Sequence, residues 1–89
     1  MKIGIVGGGI SGLGAAHALA TSGHRVELFE TKETVGGLAA SFELGGSQVE
    51  QYYHFICVDD HTYLDMCQDF GIGNRIRWNR TTTGFFYKG

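Results

Sequence analysis

The sequence contains no proline, only two cysteines and no cluster of basic residues. Fifteen glycines without any proline indicate glycines placed at particular backbone positions, because loop-rich and disordered chains usually carry both residues. Cys57 and Cys67 lack the spacing of a zinc site, so we expect two free thiols in a reducing cytoplasm and no metal. Seven basic and nine acidic residues, with no basic run, disfavour nucleic-acid binding.

Long apolar runs are also absent, since none approaches the roughly 20 residues of a membrane-spanning helix. The N-terminal apolar stretch is similar to a secretory signal, but Gly7 to Gly9 would break the helix that such a signal needs. We therefore expect no export and a cytoplasmic protein. Hydrophobic residues make up 43% of the chain and aromatic residues 12%, which is typical of a globular protein.

The first thirty residues predict one βαβ unit of an α/β fold. Lys2 to Val6 is predicted as a strand buried on both sides, and Arg25 to Phe29 as a second strand. Between them, Ser11 to Ser22 is predicted as a helix that ends at Gly23. This order of elements is typical of a parallel, Rossmann-like sheet with a right-handed crossover.

The remaining residues predict a hairpin, a second helix with one apolar face, and two further strands. The hairpin turns at Gly45-Gly46-Ser47, and the second helix stops at Gly71. The predicted bounds are Ala39 to Leu44 and Gln48 to Ile56 for the hairpin strands, a capping Asp59 or Asp60 to about Phe70 for the helix, and Arg75 to Trp78 and Gly84 to Tyr87 for the last strands.

A glycine motif connects the first strand to the first helix. Gly7, Gly9 and Gly12 form GxGxxG, which after a strand and before a helix predicts a dinucleotide site. Gly7 permits a tight turn, Gly9 lets the backbone approach a pyrophosphate, and Gly12 lets the helix lie close to the strand. The pyrophosphate would meet backbone N–H groups at the start of the helix, at Ile10 and Ser11.

Glu30 stands at the end of the second predicted strand, where a carboxylate can accept both ribose hydroxyls of an adenosine. The same carboxylate would repel a 2′-phosphate, and the nearby Lys32 would offset that repulsion only in part. NADP is therefore disfavoured. The adenosine diphosphate half is common to FAD and NAD, so this motif alone does not distinguish them.

The segment ETKETVGGLAASFELGG, residues 30 to 46, resembles the glutathione-reductase-like flavoproteins, in particular the amine oxidase, protoporphyrinogen oxidase and phytoene desaturase group. The resemblance implies FAD rather than NAD, with Gly36 and Gly37 beside its pyrophosphate. Leu38 stands where amine oxidases usually have arginine, which disfavours amine oxidation itself. The complete set of predicted cofactor-binding residues is Gly7, Gly9, Ile10, Ser11, Gly12, Glu30, Thr31, Lys32, Gly36, Gly37 and Leu38.

The resemblance further implies the N-terminal part of a FAD-binding domain in a flavin-dependent oxidoreductase, amine oxidase-like or desaturase-like, with a small-molecule substrate. Residues 1–38 would form the βαβ unit and Gly-Gly loop, and residues 39–89 the start of the substrate-side region. Catalytic residues would lie downstream of Gly89 in the same polypeptide. Two alternatives stay open: a non-redox flavoprotein that resembles UDP-galactopyranose mutase, and an NAD-binding module.

His54 is a separate candidate, because it lies on a predicted strand shortly after the Gly-Gly loop. A histidine there could act as an acid or base near a flavin. The alternative, a strand histidine whose ring nitrogens are satisfied by neighbouring groups, is the preferred interpretation.

Overall fold

The N-terminal residues form a βαβ unit in the computed structural model, which describes residues 1–89. Strand β1 (Lys2–Val6) pairs in parallel with β2 (Arg25–Phe29), and helix α1 (Ile10–Thr21) connects them. The predicted α/β, Rossmann-like arrangement is confirmed. The chain divides into two units, Met1–Phe55 and Ile56–Gly89, and this βαβ arrangement lies within the first.

Helix α1 ends at the predicted glycine. Gly23 has a φ of +86°, a conformation that residues with a side chain rarely adopt. Its N–H donates to the carbonyl of Ala20 at 3.0 Å, and the next N–H, from His24, donates to the carbonyl of Leu19 at 3.1 Å. These two bonds form a Schellman motif, which satisfies carbonyls that have no partner within the helix.

The two faces of the β1–β2 pair are covered unequally. On the face towards α1, four aliphatic side chains are half-buried: Ile3, Ile5, Val26 and Leu28. On the opposite face Val6 is 90% exposed, and Lys2 Nζ lies 3.1 Å from Glu27 Oε1 in an exposed ion pair. The prediction that β1 is buried on both sides is therefore wrong, because α1 packs on one face and leaves the other open.

The predicted hairpin is present after a single 3₁₀ turn at Gly37–Ala39. Its strands, β3 (Ser41–Leu44) and β4 (Ser47–Glu50), are antiparallel and joined by a two-residue loop. Gly45 and Gly46 have φ values of +58° and +82°, as a type I′ turn requires. The strand predicted to reach Ile56 is too long, since β4 ends at Glu50 and the hairpin continues only to the bond from the Gln51 N–H to the Ala40 carbonyl.

The second unit contains helix α2 (His61–Asp69), which begins after Asp60 and ends before Gly71 as predicted. Gly71 has a φ of +71°. The N–H groups of Gly71 and Ile72 donate to the carbonyls of Gln68 and Cys67, both at 2.9 Å, in a second Schellman motif. The side chain of Cys67 is buried on the predicted apolar face of this helix.

The prediction that an aspartate caps α2 is confirmed for the position of the residue but not for its hydrogen bonding. Asp60 is the N-cap residue, yet its side chain accepts no hydrogen bond from the helix. Instead, Asp60 Oδ2 accepts the N–H of Cys57 at 2.7 Å. By accepting this earlier N–H, the Asp60 carboxylate closes the turn that precedes the helix and does not cap the helix itself.

The prediction of two strands near the end of the sequence is wrong. Gly73–Arg75 forms a single 3₁₀ turn, and residues 76–89 have no regular secondary structure. The apolar residues of Arg75 to Trp78 and Gly84 to Tyr87 have a strand-like pattern, but no strand of the chain pairs with them. No helix of the chain combines the length and the hydropathy that crossing a membrane would require.

Candidate dinucleotide-binding site

A tight turn at Gly7 directs the chain from β1 into α1. Gly7 has a φ of +102°, as expected for the first glycine of the motif. Its N–H donates to the Phe29 carbonyl at 2.7 Å and so extends the pairing of the strands by one residue. This bond therefore holds the turn beside the end of β2, next to Glu30.

The start of α1 presents backbone N–H groups to the turn. Gly9 is the N-cap residue and has no side chain to cap the helix, and its carbonyl accepts the N–H of Leu13 at 2.9 Å. The first N–H groups of a helix have no partner within it, and together with the helix dipole they favour an anion. Ile10 and Ser11 occupy the first two helical positions, as the dinucleotide hypothesis requires.

Gly12 allows the close approach that the motif predicts, although the neighbour differs from the expected one. A Cβ atom added at Gly12 would collide with the carbonyl oxygen of Gly7. The same atom would lie 3.6 Å from Ile5 Cγ2, which is an ordinary contact. Glycine is therefore needed at this position because the helix packs on the turn itself, more closely than on the strand.

The carboxylate of Glu30 is oriented by its surroundings. Its Oε2 accepts the Gly8 N–H at 2.5 Å, and its Oε1 accepts the Lys32 N–H at 3.0 Å and lies 3.5 Å from Thr31 Oγ1. Each carboxylate oxygen has two lone pairs, so the group retains capacity for further donors such as ribose hydroxyls. Lys32 contributes through its backbone, whereas the sequence suggested a role for its charged side chain.

These donors also fix the charge of Glu30. The backbone N–H of Lys32, followed by that of Gly8, holds the pKa of the Glu30 carboxyl below its ordinary value of 4.5. Partial burial opposes this effect and Thr31 adds to it. Because hydrogen bonds to the charged form favour it, the group is a carboxylate acceptor at neutral pH.

The Gly36–Gly37 pair lies against the glycine turn. The Gly36 N–H donates to the Gly8 carbonyl at 2.7 Å, and Gly36 forms a parallel bridge with Gly9. Both glycines have positive φ, +118° and +57°, and a Cβ added at Gly37 would lie only 3.0 Å from Gly9 Cα. The two glycine segments, far apart in sequence, therefore form one continuous backbone surface.

Gly8 is the residue of this site that the sequence pattern did not identify. It is buried, and it contacts both Glu30 and Gly36 through its backbone. GxGxxG leaves this position open, so the motif assigns it no role. The available signal was the uninterrupted run Gly7 to Gly9, in which the middle glycine exceeds what the motif requires.

Other predicted residues contribute less, or through position alone. Ile10 is the first residue of α1, and its side chain is 62% exposed. Leu38 lies within the 3₁₀ turn, and its side chain is 70% exposed. His54 has Nδ1 2.9 Å from the Tyr52 carbonyl and Nε2 3.4 Å from Glu50 Oε1. Its ring nitrogens thus have partners in their own segment, as the preferred interpretation expects, but His54 lies beyond the end of β4 and not on a strand.

The arrangement fits the adenosine diphosphate portion of a dinucleotide. An ionised acceptor stands at the end of β2, beside a helix N-terminus whose approach is lined by glycine backbone. A Cβ atom at Gly8, Gly12 or Gly37 would meet atoms of the site itself. These features suit a diphosphate with a ribose at one end, since helix N-terminal N–H groups favour an anion and a carboxylate accepts hydroxyl groups.

Comparison with known proteins agrees with this geometry. Residues 5 to 70 match the family model of the NAD(P)-binding Rossmann-like domain. A zeta-carotene desaturase of Synechocystis is 29% identical over 90 residues, which cover 100% of this chain and 18% of the relative. A 4,4'-diapophytoene desaturase of Staphylococcus haemolyticus is 40% identical over 60 residues, covering 67% of this chain and 12% of the relative.

A chloroplastic/chromoplastic zeta-carotene desaturase of Zea mays is 28% identical over 90 residues, covering 100% of this chain and 16% of the relative. The chain thus spans less than a fifth of the length of these curated relatives. The resemblance to the desaturase group that the sequence suggested is confirmed by these similarities.

Proposed function

The chain belongs to the family of NAD(P)-binding Rossmann-like domains, and we propose that its glycine turn and Glu30 bind the adenosine diphosphate half of FAD. The observation that supports this most directly is the carboxylate of Glu30, held by the N–H groups of Gly8 and Lys32 beside the start of α1. A fixed, ionised acceptor at the end of the second strand is the feature that recognises an adenosine ribose in this fold.

Within this proposal each part of the site has a separate task. Glu30 accepts the ribose hydroxyls, the N-terminal N–H groups of α1 hold the pyrophosphate, and Gly36–Gly37 keep side chains away from it. A bound flavin would supply the capacity to take up electrons from a substrate. The residues described here bind and orient the cofactor and exclude a bulky side chain from its phosphates.

For the whole protein we propose an oxidoreductase of the desaturase type that acts on a carotenoid-like hydrocarbon. Support comes from the similarity to three desaturases, two named for zeta-carotene and one for 4,4'-diapophytoene. Leu38 in place of the arginine usual in amine oxidases favours the desaturase side of the resemblance. An NAD-binding module is the second candidate, because the matching family is described as NAD(P)-binding.

The test begins with protein purified from the whole reading frame that contains residues 1–89. Its bound nucleotide is released by denaturation and identified by absorbance and chromatography. The protein freed of nucleotide is then titrated with FAD, NAD and NADP. We expect FAD to bind most tightly, and Glu30→Gln to weaken FAD binding about tenfold or more, since a hydrogen bond to a charged acceptor is lost.

Glu33→Gln is the matched control, because Glu33 is an exposed glutamate three residues along the same loop. It should leave FAD affinity unchanged. Binding of NAD in preference to FAD would reject the flavin proposal in favour of the NAD-binding module. Binding of FAD without oxidation of a carotenoid-like hydrocarbon in the presence of an electron acceptor would reject the desaturase assignment and leave the cofactor site standing.

A further inference from the structure

Gly8 is connected to two separate parts of the proposed site. Its N–H donates to Glu30 Oε2 at 2.5 Å, and its carbonyl accepts the N–H of Gly36 at 2.7 Å. Glu30 and Gly36 are the residues at either side of the loop 31–35. One residue of the glycine turn therefore anchors both ends of that loop.

This double anchoring joins the two halves of the site. The carboxylate that would meet the ribose and the glycine pair that would lie beside the pyrophosphate come from opposite ends of the loop 31–35. Because both ends are bonded to the same residue, a displacement of Gly8 would move the two halves together. The separation between ribose acceptor and glycine pair is thus set by Gly8 rather than by the loop.

The requirement for glycine at position 8 is one of space. Its φ lies outside the positive range that would by itself favour glycine. A Cβ atom added there would lie 2.9 Å from Glu30 Oε2 and 3.0 Å from Val35 Cγ1. The Glu30 Cβ would also lie 3.3 Å away, and the carboxylate is bonded to the Lys32 N–H, so moving it aside would disturb that bond.

We propose that Gly8 is a positioning residue of the dinucleotide site, which orients the Glu30 carboxylate for the ribose and holds Gly36–Gly37 against the turn. The inference rests on the proposed function. It predicts that an alanine at position 8 displaces the carboxylate and so removes recognition of the ribose 2′-hydroxyl. A residue outside the three motif glycines would then determine how the site reads its nucleotide.

The test compares Gly8→Ala with the matched control Gly14→Ala. Gly14 is also in the glycine-rich segment, but a Cβ added there meets no atom within 4 Å and its φ is unremarkable for a helix. ADP and 2′-deoxy-ADP compete with FAD for the nucleotide-free, full-length protein, followed by flavin fluorescence. For the wild type and Gly14→Ala, ADP should compete about tenfold or more better than 2′-deoxy-ADP.

For Gly8→Ala the ratio of the two competitors should fall towards one, as it should for Glu30→Gln. Adding Gly8→Ala to Glu30→Gln should not change that ratio further, since both act through the same carboxylate. A residue with a merely structural role would weaken ADP and 2′-deoxy-ADP equally and leave their ratio unchanged. The ratio therefore separates positioning from general destabilisation.

Should Gly8→Ala fail to fold, Gly8→Ala/Val35→Ala removes the contact with Val35 and keeps the contact with Glu30. The double variant should bind FAD and still lack discrimination. A wild-type ratio in either folded variant overturns the role of Gly8 while the proposed function stands. A wild-type protein that binds FAD but does not distinguish the two competitors overturns the role of Glu30 and hence both proposals.

Discussion

At Glu30, donors from three residues converge on one carboxylate, and two of them are backbone N–H groups. The backbone conformation of residues 30–32 therefore favours the ionised form of the Glu30 carboxyl. The resulting reduction in the Glu30 pKa links the conformation of the loop to pH.

The direction of this linkage can be predicted. The pKa of Glu30 is lower in the folded chain than the 4.5 of an unperturbed carboxyl, so ionised Glu30 stabilises the fold. That contribution is complete above pH 4.5 and is lost as the pH falls through the lowered folded value. Carboxyl ¹³C NMR of Glu30 and urea unfolding at several pH values measure it.

Glu30→Gln should flatten the acid side of the stability profile, whereas Glu33→Gln should leave it as in the wild type. A Glu30 carboxyl signal that titrates at or above 4.5 in the folded protein would contradict the hydrogen bonding described for the site.

Two glycines of α1 should respond oppositely to alanine. Gly12→Ala places a methyl against the carbonyl oxygen of Gly7 and should destabilise the fold by about 1–3 kcal/mol, the range for overpacking. Gly14→Ala meets open space and should stabilise it by about 0.5–1 kcal/mol, because alanine favours a helix. Urea unfolding measures both, and equal effects would show that the close approach at Gly12 is absent.

At this scale the sequence predicted residues whose role follows from local geometry. Gly7 needed a positive φ in a turn between strand and helix, and Glu30 directly followed the second strand. The role of Gly8 was not predicted, because its neighbours in space, Glu30 and Val35, are distant in sequence. A steric requirement of that kind becomes visible only when the chain has folded.

Both helices end in the same way, with a glycine of positive φ and two hydrogen bonds that complete the last turn. Gly71→Ala should therefore destabilise α2 by about 1–2 kcal/mol, the cost of a left-handed conformation for a residue with a Cβ. The control is Gly84→Ala, since Gly84 has neither a positive φ nor a neighbour within 4 Å of an added Cβ. Circular dichroism during urea unfolding measures the difference, and equal midpoints would argue against the cap.

The contrast between helices and strands explains which of the predictions were wrong. Helix ends at Gly23 and Gly71 depend on residues within one turn, so their signals are local. A strand depends on a partner elsewhere, and the apolar pattern of Arg75 to Trp78 contains no information about one. The same reason explains why β4 stops at Glu50 and why the burial of β1 was overestimated.

Across the whole molecule few residues are buried, Gly8 and Cys67 being those with almost no exposure, one in each unit. All of the proposed site residues lie in the unit Met1–Phe55. FAD should therefore slow hydrogen exchange at the amides of Gly8, Lys32 and Gly36, by about a hundredfold at a free concentration of a hundred times Kd.

The amides of α2 serve as the internal reference for this measurement, because that helix contains none of the proposed site residues. Their exchange rates should stay the same when FAD is added. Protection of α2 without protection of Gly8, Lys32 and Gly36 would reject the proposed site.

The attachment of both ends of the loop 31–35 to Gly8 also bears on how such a site evolves. The free energy of closing a loop rises only slowly with its length, so residues inserted between two fixed ends cost little stability. Selection can therefore alter the sequence and length of this segment while Glu30 and the glycine backbone keep their positions.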